Sequence, residues 1–330
     1  MFGSERLTDI LNGFSKIHLL VVGDLMLDRF IWGDVDRLSP EAPVPVLRVY
    51  SESSRLGGAA NVIHNVRSLG AQVTACGVVG ADEAGKTLTD DLRRIGASTS
   101  GVFADREIHS IQKTRIIARP SHQQIVRLDR ENHAAIRDAT LKKICQFILN
   151  RASRFDGIVV SDYGKGVVHQ GLLNSLASIA ANKDIRIVID PKRENYGSYQ
   201  RPSLITPNKD EASAASGIAI RDERTLSLAG QRLLQMWRAK AVLITRGPEG
   251  MSLFCPCQVV QDFPTQRREI FDVTGAGDTV VAVCALALAA GARYEEAAIL
   301  ANHAAGLVGE EVGTVAVPLA RLKRLIKDLQ

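Results

Sequence analysis

The chain of 330 residues is 45% hydrophobic and 23% charged, a composition typical of globular proteins rather than disordered or fibrous ones. Its formal net charge is only +5, and acidic residues are scattered among the basic ones, so no basic segment indicates nucleic-acid binding. Five cysteines without a CxxC pair argue against a disulfide framework and a structural zinc site. The N-terminus lacks the apolar core of a signal peptide, and the longest apolar run, 280–290, is too short to cross a bilayer. We therefore expect a cytoplasmic protein that binds neither membranes nor nucleic acid.

Short β-branched segments that end at Gly, Asp, Pro or Asn alternate with helical segments along most of the chain. The predicted strands are residues 16–24, 71–80, 155–164, 184–192, 203–208 and 240–247. The predicted helices are residues 59–69, 83–95, 135–150, 169–182, 222–236, 276–290 and 294–309. Continuous apolar strands are buried on both faces, as in a parallel sheet, and their alternation with helices predicts a doubly wound α/β fold. We expect a single domain over residues 1–330.

Two regions interrupt this alternation. Residues 29–50 alternate like strands and contain three prolines, which keep them out of a central strand of the main sheet. Residues 110–130 are typical of a hairpin, with a turn near Pro120 and Ser121. We expect both regions to form a small accessory sheet that serves as a lid, as a dimerisation surface or as both.

Polar residues follow many of the predicted strands, at the edge of the sheet where doubly wound folds bind their ligands. One Asp after a strand is usually a turn residue or a helix cap, but a whole set at equivalent ends predicts a ligand site. The set consists of Asp24, Asp28, Asp162, Lys165, Asp190, Lys192, Asn208 and Thr245.

The segment "DVTGAGDTVVAVCALALAA" (272–290) places Asp278 at the start of an apolar helix. The small residues Gly275, Ala276 and Gly277 leave the backbone bare, and the first N–H groups of a helix attract an anion. The simpler interpretation of Asp278 is a favourable charge in the first helical turn. The alternative is a general base beside a phosphoryl-binding helix start. Val280 stands where the third glycine of a GxGxxG fingerprint would be, which disfavours a dinucleotide.

The segment "GADEAGKT" (80–87) matches the phosphate-loop pattern GxxxxGK[ST]. Asp82 and Glu83 would repel a triphosphate there, and Asp82 is a good N-cap for a helix over 83–95. Both interpretations remain open at this point, and the first would make the chain a P-loop NTPase that uses Lys86.

Two further segments open helices with polar residues. In "LGGAANVIHNVRSLG" (56–70), a Gly-Gly turn is either a simple loop and cap or a close backbone approach to a polyol, with Asn61 on its hydroxyls. In "TPNKDEA" (206–212), Asn208 and Glu211 are either an N-cap with a charged first turn or a pair that organises Mg²⁺ through oxygen ligands.

Over essentially all its length the chain resembles the ribokinase-like (PfkB) family of sugar kinases. The resemblance rests on "GGAANVIHNVRSLG" with Gly80 and on "DVTGAGDTVVAV", with Ile63 and Val283 where smaller residues are usual. Within the family, "GDVDRLSPEAPVPVL" (33–47) resembles the D-glycero-D-manno-heptose 7-phosphate kinases of bacterial lipopolysaccharide synthesis. Some of these carry a fused nucleotidyltransferase domain; since no HxGH motif occurs, we expect the monofunctional form.

The resemblance implies a role for each matching residue. It makes Asp278 the catalytic base and residues 275–277 its anion hole. The positions that match nucleotide-binding residues are Asn208, Glu211, Thr245, Gly247, Gly250 and Asn302, with Glu211 linked to the metal through water. The positions that match sugar-contacting residues are Asp24, Asp28, Gly57, Gly58 and Asn61. For the sugar phosphate we consider Lys113, Arg115, Arg119, Lys165 and Lys192, and rank Lys113, Lys165 and Lys192 first.

The implied reaction is ATP-dependent phosphorylation of the anomeric hydroxyl of heptose 7-phosphate to the 1,7-bisphosphate, on the route to ADP-heptose. It requires Mg²⁺, leaves room for a monovalent cation, and is associated with a homodimer formed through the lid strands. The alternatives are a kinase of the same fold for another sugar, the P-loop NTPase and a non-catalytic sugar-binding module.

Overall fold

The computed structural model describes residues 3–119, 123–131, 135–182, 185–257, 260–265, 275–308 and 316–328. The strands in these ranges are β1 His18–Gly23, β2 Leu25–Leu38, β3 Pro45–Gly58, β4 Gln72–Gly80, β5 Ser98–Asp105, β6 Ile111–Arg119, β7 Gln123–Arg130, β8 Gly157–Ser161, β9 Arg186–Asp190, β10 Leu204–Ile205, β11 Val242–Thr245, β12 Met251–Phe254 and β13 Gln261–Phe263. The helices are α1 Ser4–Gly13, α2 Ala59–Ser68, α3 Glu83–Arg94, α4 Asp138–Arg151, α5 Gln170–Asn182, α6 Lys209–Ser216, α7 Glu223–Trp237, α8 Ala276–Ala289, α9 Tyr294–Val308 and α10 Leu319–Lys327.

The main sheet has the strand order β13-β12-β11-β10-β9-β8-β1-β4-β5. Its strands pair in parallel except at one edge, where β12 pairs antiparallel with both β11 and β13. Strand β1 lies between β8 and β4, and its Val21 is in register with Val159 and Ala75. Since parallel strands end at the same edge, the residues that follow β1, β8 and β9 meet there.

Helices cover both faces of the main sheet. The side chains of β1 alternate between two cores, with Leu19 and Val21 in the first and Leu20 and Val22 in the second. The first core receives side chains from α1, α2, α3, α8, α9 and α10, and the second from α4, α5, α6 and α7. This arrangement confirms the predicted doubly wound α/β class. A sheet that helices cover on both sides needs strands with apolar side chains on both faces, as β1 has.

A separate small sheet has the strand order β3-β2-β6-β7. Strand β2 pairs antiparallel with β3 and parallel with β6, and β6 pairs antiparallel with β7. Pro40 and Pro43 lie in the connection between β2 and β3, and Pro45 begins the edge strand β3, so no proline interrupts a paired interior position. The predicted turn at Pro120 and Ser121 lies outside the described residues.

The predicted helices and strands agree with the described ones to within a few residues, except at β3. This strand continues from the predicted lid region, 29–50, to Gly58, so Gly57 and Gly58 end a paired strand and do not form the predicted turn. Three short helices, α1, α6 and α10, and three strands, β5, β12 and β13, were not predicted. Strand β5 lies at the edge of the sheet and is only partly buried, so it lacks the continuous apolar run of the central strands. Within the described ranges, no helix has both the length and the apolar composition that a membrane span needs.

Candidate active site

Helix α8 is buried along most of its length and carries a charged residue in its first turn. All its residues from Asp278 to Leu288 are buried, and Gly275 precedes it with φ +83°, a conformation that favours glycine. The first backbone bond of the helix runs from Thr279 N to the Gly275 carbonyl at 3.1 Å. The N–H groups of Ala276, Gly277 and Asp278 therefore have no partner inside the helix and are available to an anion. The preceding residues Asp272 to Thr274 lie outside the described ranges.

The carboxylate of Asp278 is held at both oxygens. The amide of Asn61 donates to Oδ2 at 2.7 Å, and the hydroxyl of Tyr163 donates to Oδ1 at 2.7 Å. Burial raises the pKa of Asp278 to about 6, and the charge of Asp28 adds to this, whereas the two hydrogen bonds and Lys113 oppose it. A buried carboxylate whose pKa lies just below neutral is ionised at pH 7 and remains able to accept a proton.

Gly57 and Gly58 end strand β3, paired with Met26 and Leu25 of β2, and lead directly into α2, which brings Asn61 to this carboxylate beside Asp28. A Cβ on Gly57 would lie 2.5 Å from Oδ2 of Asp28, and Gly58 has φ +55°, so the two glycines leave room for the neighbouring strand. Asn61 is fully buried, and Asp28 forms an ion pair with Arg115 at 2.7 Å. The predicted sugar-binding residues Asp28, Gly57, Gly58 and Asn61 therefore lie together beside Asp278.

One face of the small sheet presents cations to the same place. Lys113 is paired in register with Asp28, and its Nζ lies 5.8 Å from the centroid of the Tyr163 ring. The guanidinium of Arg115 lies 5.4 Å from the centroid of the Phe30 ring. Because side chains alternate along a strand, Lys113 and Arg115 share a face and point to the same side as Asp28.

Three of the predicted substrate ligands have other partners. Asp24 is fully buried, and its carboxylate accepts three backbone N–H groups from the loop that follows β8, so it holds that loop and is not exposed to a sugar. The amine of Lys165 pairs with Glu131 at 2.6 Å. The amine of Lys192 pairs with Glu211 at 3.1 Å, which places it among the predicted nucleotide-binding residues. Arg119, considered for the sugar phosphate, pairs with Asp34 on the same sheet.

Asn208 and Glu211 form a complete capping box at the start of α6. The side chain of Asn208 accepts from Glu211 N at 2.9 Å, and Glu211 Oε2 accepts from Asn208 N at 3.0 Å. The interpretation of this motif as an N-cap with a charged first turn therefore agrees with the observed hydrogen bonds. It does not exclude a role with a metal, because Glu211 also binds Lys192 through its other oxygen and so faces the strand ends.

The other predicted nucleotide-binding residues lie along the adjoining edge. Thr245 forms a parallel bridge with Asn208, so β11 and the start of α6 are neighbours. Gly247 has φ +57° and is exposed. Gly250 has φ +91°, and a Cβ there would lie 2.0 Å from the Phe263 carbonyl. The amide of Asn302 donates to the Pro264 carbonyl at 2.9 Å, which links α9 to the segment after β13.

Two residues that were not predicted, Tyr163 and Arg55, lie at the site, and so does Asp190, which was predicted only as one of the strand-end residues. Tyr163 contacts Asp278 directly. Asp190 connects the two halves of the site: burial raises its pKa well above the usual value, and the charges of Asp278 and Glu211 both contribute. Arg55 is paired in register with Asp28, and its guanidinium lies 5.4 Å from the centroid of the Phe30 ring. In the sequence, Asp190 could be recognised because it stands at the end of a predicted strand. No local pattern around Tyr163 or Arg55 indicates that these residues belong to the site.

The P-loop interpretation of residues 80–87 is wrong. Helix α3 begins at Glu83, before Lys86, and the carboxylate of Asp82 caps it by accepting from Gly85 N at 2.8 Å. The same carboxylate accepts from Ser110 N and Oγ, so it occupies the place a phosphate would take. A Cβ on Gly85 would lie 2.3 Å from the Gly80 carbonyl, so the matching glycines serve close packing of helix on strand.

The pfkB family of carbohydrate kinases has a sequence profile that matches residues 16–320. The chain belongs to this family. Its members phosphorylate carbohydrates, which confirms the enzyme class that the motifs around Asn61 and Asp278 predict.

Curated relatives of the chain carry the name Bifunctional protein HldE. The relative from Desulfatibacillum aliphaticivorans is 44% identical over 315 residues, which are 96% of this chain and 64% of that protein. The relative from Geobacter metallireducens is 48% identical over 306 residues, 93% of this chain and 62% of that protein. The chain thus spans a little under two thirds of the length of these relatives.

Solved structures of sugar kinases share the fold. Phosphofructokinase-2 from Escherichia coli in complex with potassium has a TM-score of 0.80 at 20% identity, with 95% of this chain and 99% of that one covered. Ribokinase from Arabidopsis thaliana complexed with ribose and ATP has a TM-score of 0.72 at 18% identity, with 94% and 99% covered. These likenesses confirm the predicted ribokinase-like architecture.

Proposed function

We propose that the chain transfers the γ-phosphoryl group of ATP to the anomeric hydroxyl of D-glycero-D-manno-heptose 7-phosphate, on the route to ADP-heptose and lipopolysaccharide. Because ATP is the donor, we place the reaction in the cytoplasm. The observation that carries the proposal is the buried carboxylate of Asp278, oriented by two hydrogen bonds at a helix start whose first N–H groups have no partner inside the helix. The resemblance of residues 33–47 to heptose 7-phosphate kinases and the HldE relatives support the choice of sugar.

The proposed mechanism divides the work between the carboxylate and the backbone. Asp278 accepts the proton of the anomeric hydroxyl, and that oxygen attacks the γ-phosphorus in line with the departing ADP oxygen. The N–H groups of Ala276, Gly277 and Asp278 donate to the phosphoryl oxygens as negative charge moves from the sugar oxygen toward ADP. No covalent intermediate with the protein is needed.

The acidic groups near Lys192 fit the Mg²⁺ that accompanies ATP. Glu211, which accepts from Lys192 and from Asn208 N, would hold the metal through a water molecule, as the family resemblance implies. When bound, Mg²⁺ neutralises charge on the β- and γ-phosphates. Lys192, which lies on this side of the site, is then a ligand for the nucleotide phosphates and not for the sugar.

For the sugar phosphate we propose Lys113, with Arg115 and Arg55 beside it. Within the described residues Lys113 forms no salt bridge, whereas Arg115 is paired with Asp28 and Lys165 with Glu131. Lys113 also lies near enough to Asp278 for its charge to lower the pKa of that carboxyl. A cation there can hold the far end of a substrate whose anomeric oxygen is at Asp278.

Lys113→Met should lower kcat/KM for heptose 7-phosphate about 10- to 100-fold, the range expected when one charged hydrogen bond is lost, and leave KM for ATP unchanged. Initial rates at varied sugar and at varied ATP measure the two effects separately. Lys165→Met is the matched comparison, and it should change either constant little because its amine already has a carboxylate partner. A larger loss at Lys165 than at Lys113 would contradict the assignment.

The substrate itself is tested by release of ADP, followed in a coupled assay. Heptose 7-phosphate should support turnover, with fructose 6-phosphate and ribose as competing acceptors at equal concentration. A clear preference for either competitor would redirect the proposal to another sugar of the same enzyme class. Absence of sugar-dependent ADP release with all three would favour a binding module.

We also propose a homodimer formed through the small sheet. By strand register, one face of this sheet carries the exposed apolar side chains Val35, Val49, Val126 and Leu128. It is the face opposite to Asp28 and Lys113. Neighbouring exposed apolar residues mark interaction surfaces in soluble proteins.

A charge on this face should separate the subunits. Val126→Asp with Leu128→Asp should convert a dimer into a monomer in sedimentation velocity, because two buried aspartates per subunit have no partners. Leu149→Asp, which alters an exposed apolar residue of α4, is the control and should leave the mass unchanged. A wild-type chain that sediments as a monomer at micromolar concentration would refute the dimer.

A further inference from the structure

The loop after β8 is anchored to Asp24. The backbone N–H groups of Tyr163, Lys165 and Val167 donate to the Asp24 carboxylate at 3.0, 3.1 and 3.1 Å. Gly164 and Gly166 have φ of +67° and +101°, which lets the alternate N–H groups turn toward one carboxylate. Asp24 thus fixes the path of the backbone on both sides of Tyr163.

A second carboxylate fixes the same loop from its other side. Asp162 accepts from Gly164 N at 2.8 Å, from the Asn195 amide at 2.7 Å and from the Tyr199 hydroxyl at 2.6 Å. The two buried carboxylates of Asp24 and Asp162 together accept six hydrogen bonds that hold this loop, and the Tyr163 N–H donates one of them. An arrangement of this kind restricts where the Tyr163 ring can lie.

The Tyr163 ring extends from this loop to the catalytic carboxylate. Its hydroxyl is 2.7 Å from Asp278 Oδ1. Burial and the charges of Asp278, Asp190 and Asp28 raise the pKa of Tyr163 well above its usual value, so the phenol keeps its proton and is the donor. With Asn61 on Oδ2, the carboxylate is held at both oxygens, and each oxygen retains a lone pair for a substrate hydroxyl.

We propose that Tyr163 is a positioning residue, which the loop anchored by Asp24 holds against Asp278 so that the carboxylate faces the acceptor hydroxyl. This inference rests on the proposed function, because it assigns Tyr163 a part in proton transfer. It assigns Asp24 the task of holding the loop rather than the sugar.

The groups around Asp278 determine the sign of the expected effect. Asn61 from α2 and Lys113 from β6 favour the carboxylate, and Asp28 from β2 and Asp190 from β9 disfavour it. Removing the Tyr163 hydroxyl takes away a donor to the anion and leaves the negative neighbours in place. The pKa of Asp278 then rises above about 6, and a base that must be ionised loses activity at a higher pH.

The test is the pH dependence of kcat for Tyr163→Phe, measured with saturating ATP and heptose 7-phosphate. The acid limb should move upward by about one pH unit or more, as expected when a charge-assisted hydrogen bond is lost, with little change in KM. Tyr199→Phe is the control, because it removes a phenol hydroxyl from the support of the same loop without touching Asp278. It should lower the melting temperature and move the acid limb much less than Tyr163→Phe does, because the Tyr163 hydroxyl and the three bonds to Asp24 remain.

A second variant covers the case in which Tyr163→Phe does not fold. Asp24→Asn keeps the size of the side chain but offers one acceptor oxygen to three N–H groups, so it should lower kcat more than it raises KM and shift the limb in the same direction. An unmoved acid limb in both variants would overturn the inference. So would a raised sugar KM with an unmoved limb, because Tyr163 would then bind substrate. The proposed function fails separately, through normal turnover of Asp278→Asn.

Discussion

Replacement of Asp278 by Asn should lower kcat by about 10² to 10⁴, the range expected for loss of a general base, and leave the affinities for sugar and ATP close to their original values. The amide has the same shape: its oxygen can accept from Asn61 while its NH₂ group donates to the Tyr163 hydroxyl, so the side chain stays in place, but it cannot take a proton from the anomeric hydroxyl. Steady-state kinetics and calorimetric binding of both substrates separate the two effects.

The same variant should not lose stability. The folded-state pKa of Asp278 is raised to about 6, so the folded chain binds the proton more tightly than the unfolded one, and stability falls as the pH rises through this range. A neutral Asn avoids that cost of a buried charge at pH 7.5. We therefore expect a melting temperature at least equal to that of the original chain.

Lys86→Ala is the control for this experiment. Lys86 is exposed on α3, and no nucleotide site is possible at the capped start of that helix, so turnover should stay near normal. Loss of activity in Lys86→Ala with retention in Asp278→Asn would reverse the assignment of the nucleotide site.

A methyl group on Gly277 should impair phosphoryl transfer without impairing the fold. A Cβ at this position meets no atom within 4 Å, and alanine is a better helix former than glycine by about 1 kcal/mol. If the bare backbone of α8 receives the phosphoryl group, the methyl group displaces it. A displacement of about 1 Å costs on the order of 10² in rate, so kcat/KM for ATP should fall by about that factor.

Gly197→Ala is the matched control for this prediction. Gly197 is also exposed and open, with no atom within 4 Å of its Cβ, but lies in a turn at residues 196–198 and not at a helix start. It should keep normal kinetics, and both variants should melt at or above the original temperature. Normal use of ATP by Gly277→Ala would show that the phosphoryl group does not approach this helix start.

Patterns of neighbouring residues were sufficient to predict most of the helices and strands that form the site. The alternation of β-branched runs with helices predicted the main sheet, and the small residues before an apolar run predicted the start of α8 within a residue. These features depend on the intrinsic conformational preferences of neighbouring residues. The same logic favoured the structural interpretation of Asp82 as an N-cap, which the structure confirms.

The hydrogen-bond and ion-pair partners of the predicted residues were harder to predict from the sequence. Lys165 and Lys192 were ranked beside Lys113 as phosphate ligands, and only their pairing with Glu131 and Glu211 separates them. Asp24 was expected to contact the sugar because its position matches a sugar-contacting residue of the family. It follows β1 at the ligand edge, but its carboxylate is used by the loop after β8.

The sequence by itself determined the chemistry available to this protein: an acid at a bare helix start, a pair of glycines before Asn61, and carboxylates at the ends of parallel strands. Tertiary structure alone decided which of these groups meet. Asn61 lies 217 residues and Tyr163 lies 115 residues from Asp278 in the chain, and both are within 2.7 Å of its carboxylate. Local preferences fix where a helix or strand begins, whereas contacts across such separations arise only when sheet order and two-sided packing bring the strand ends together.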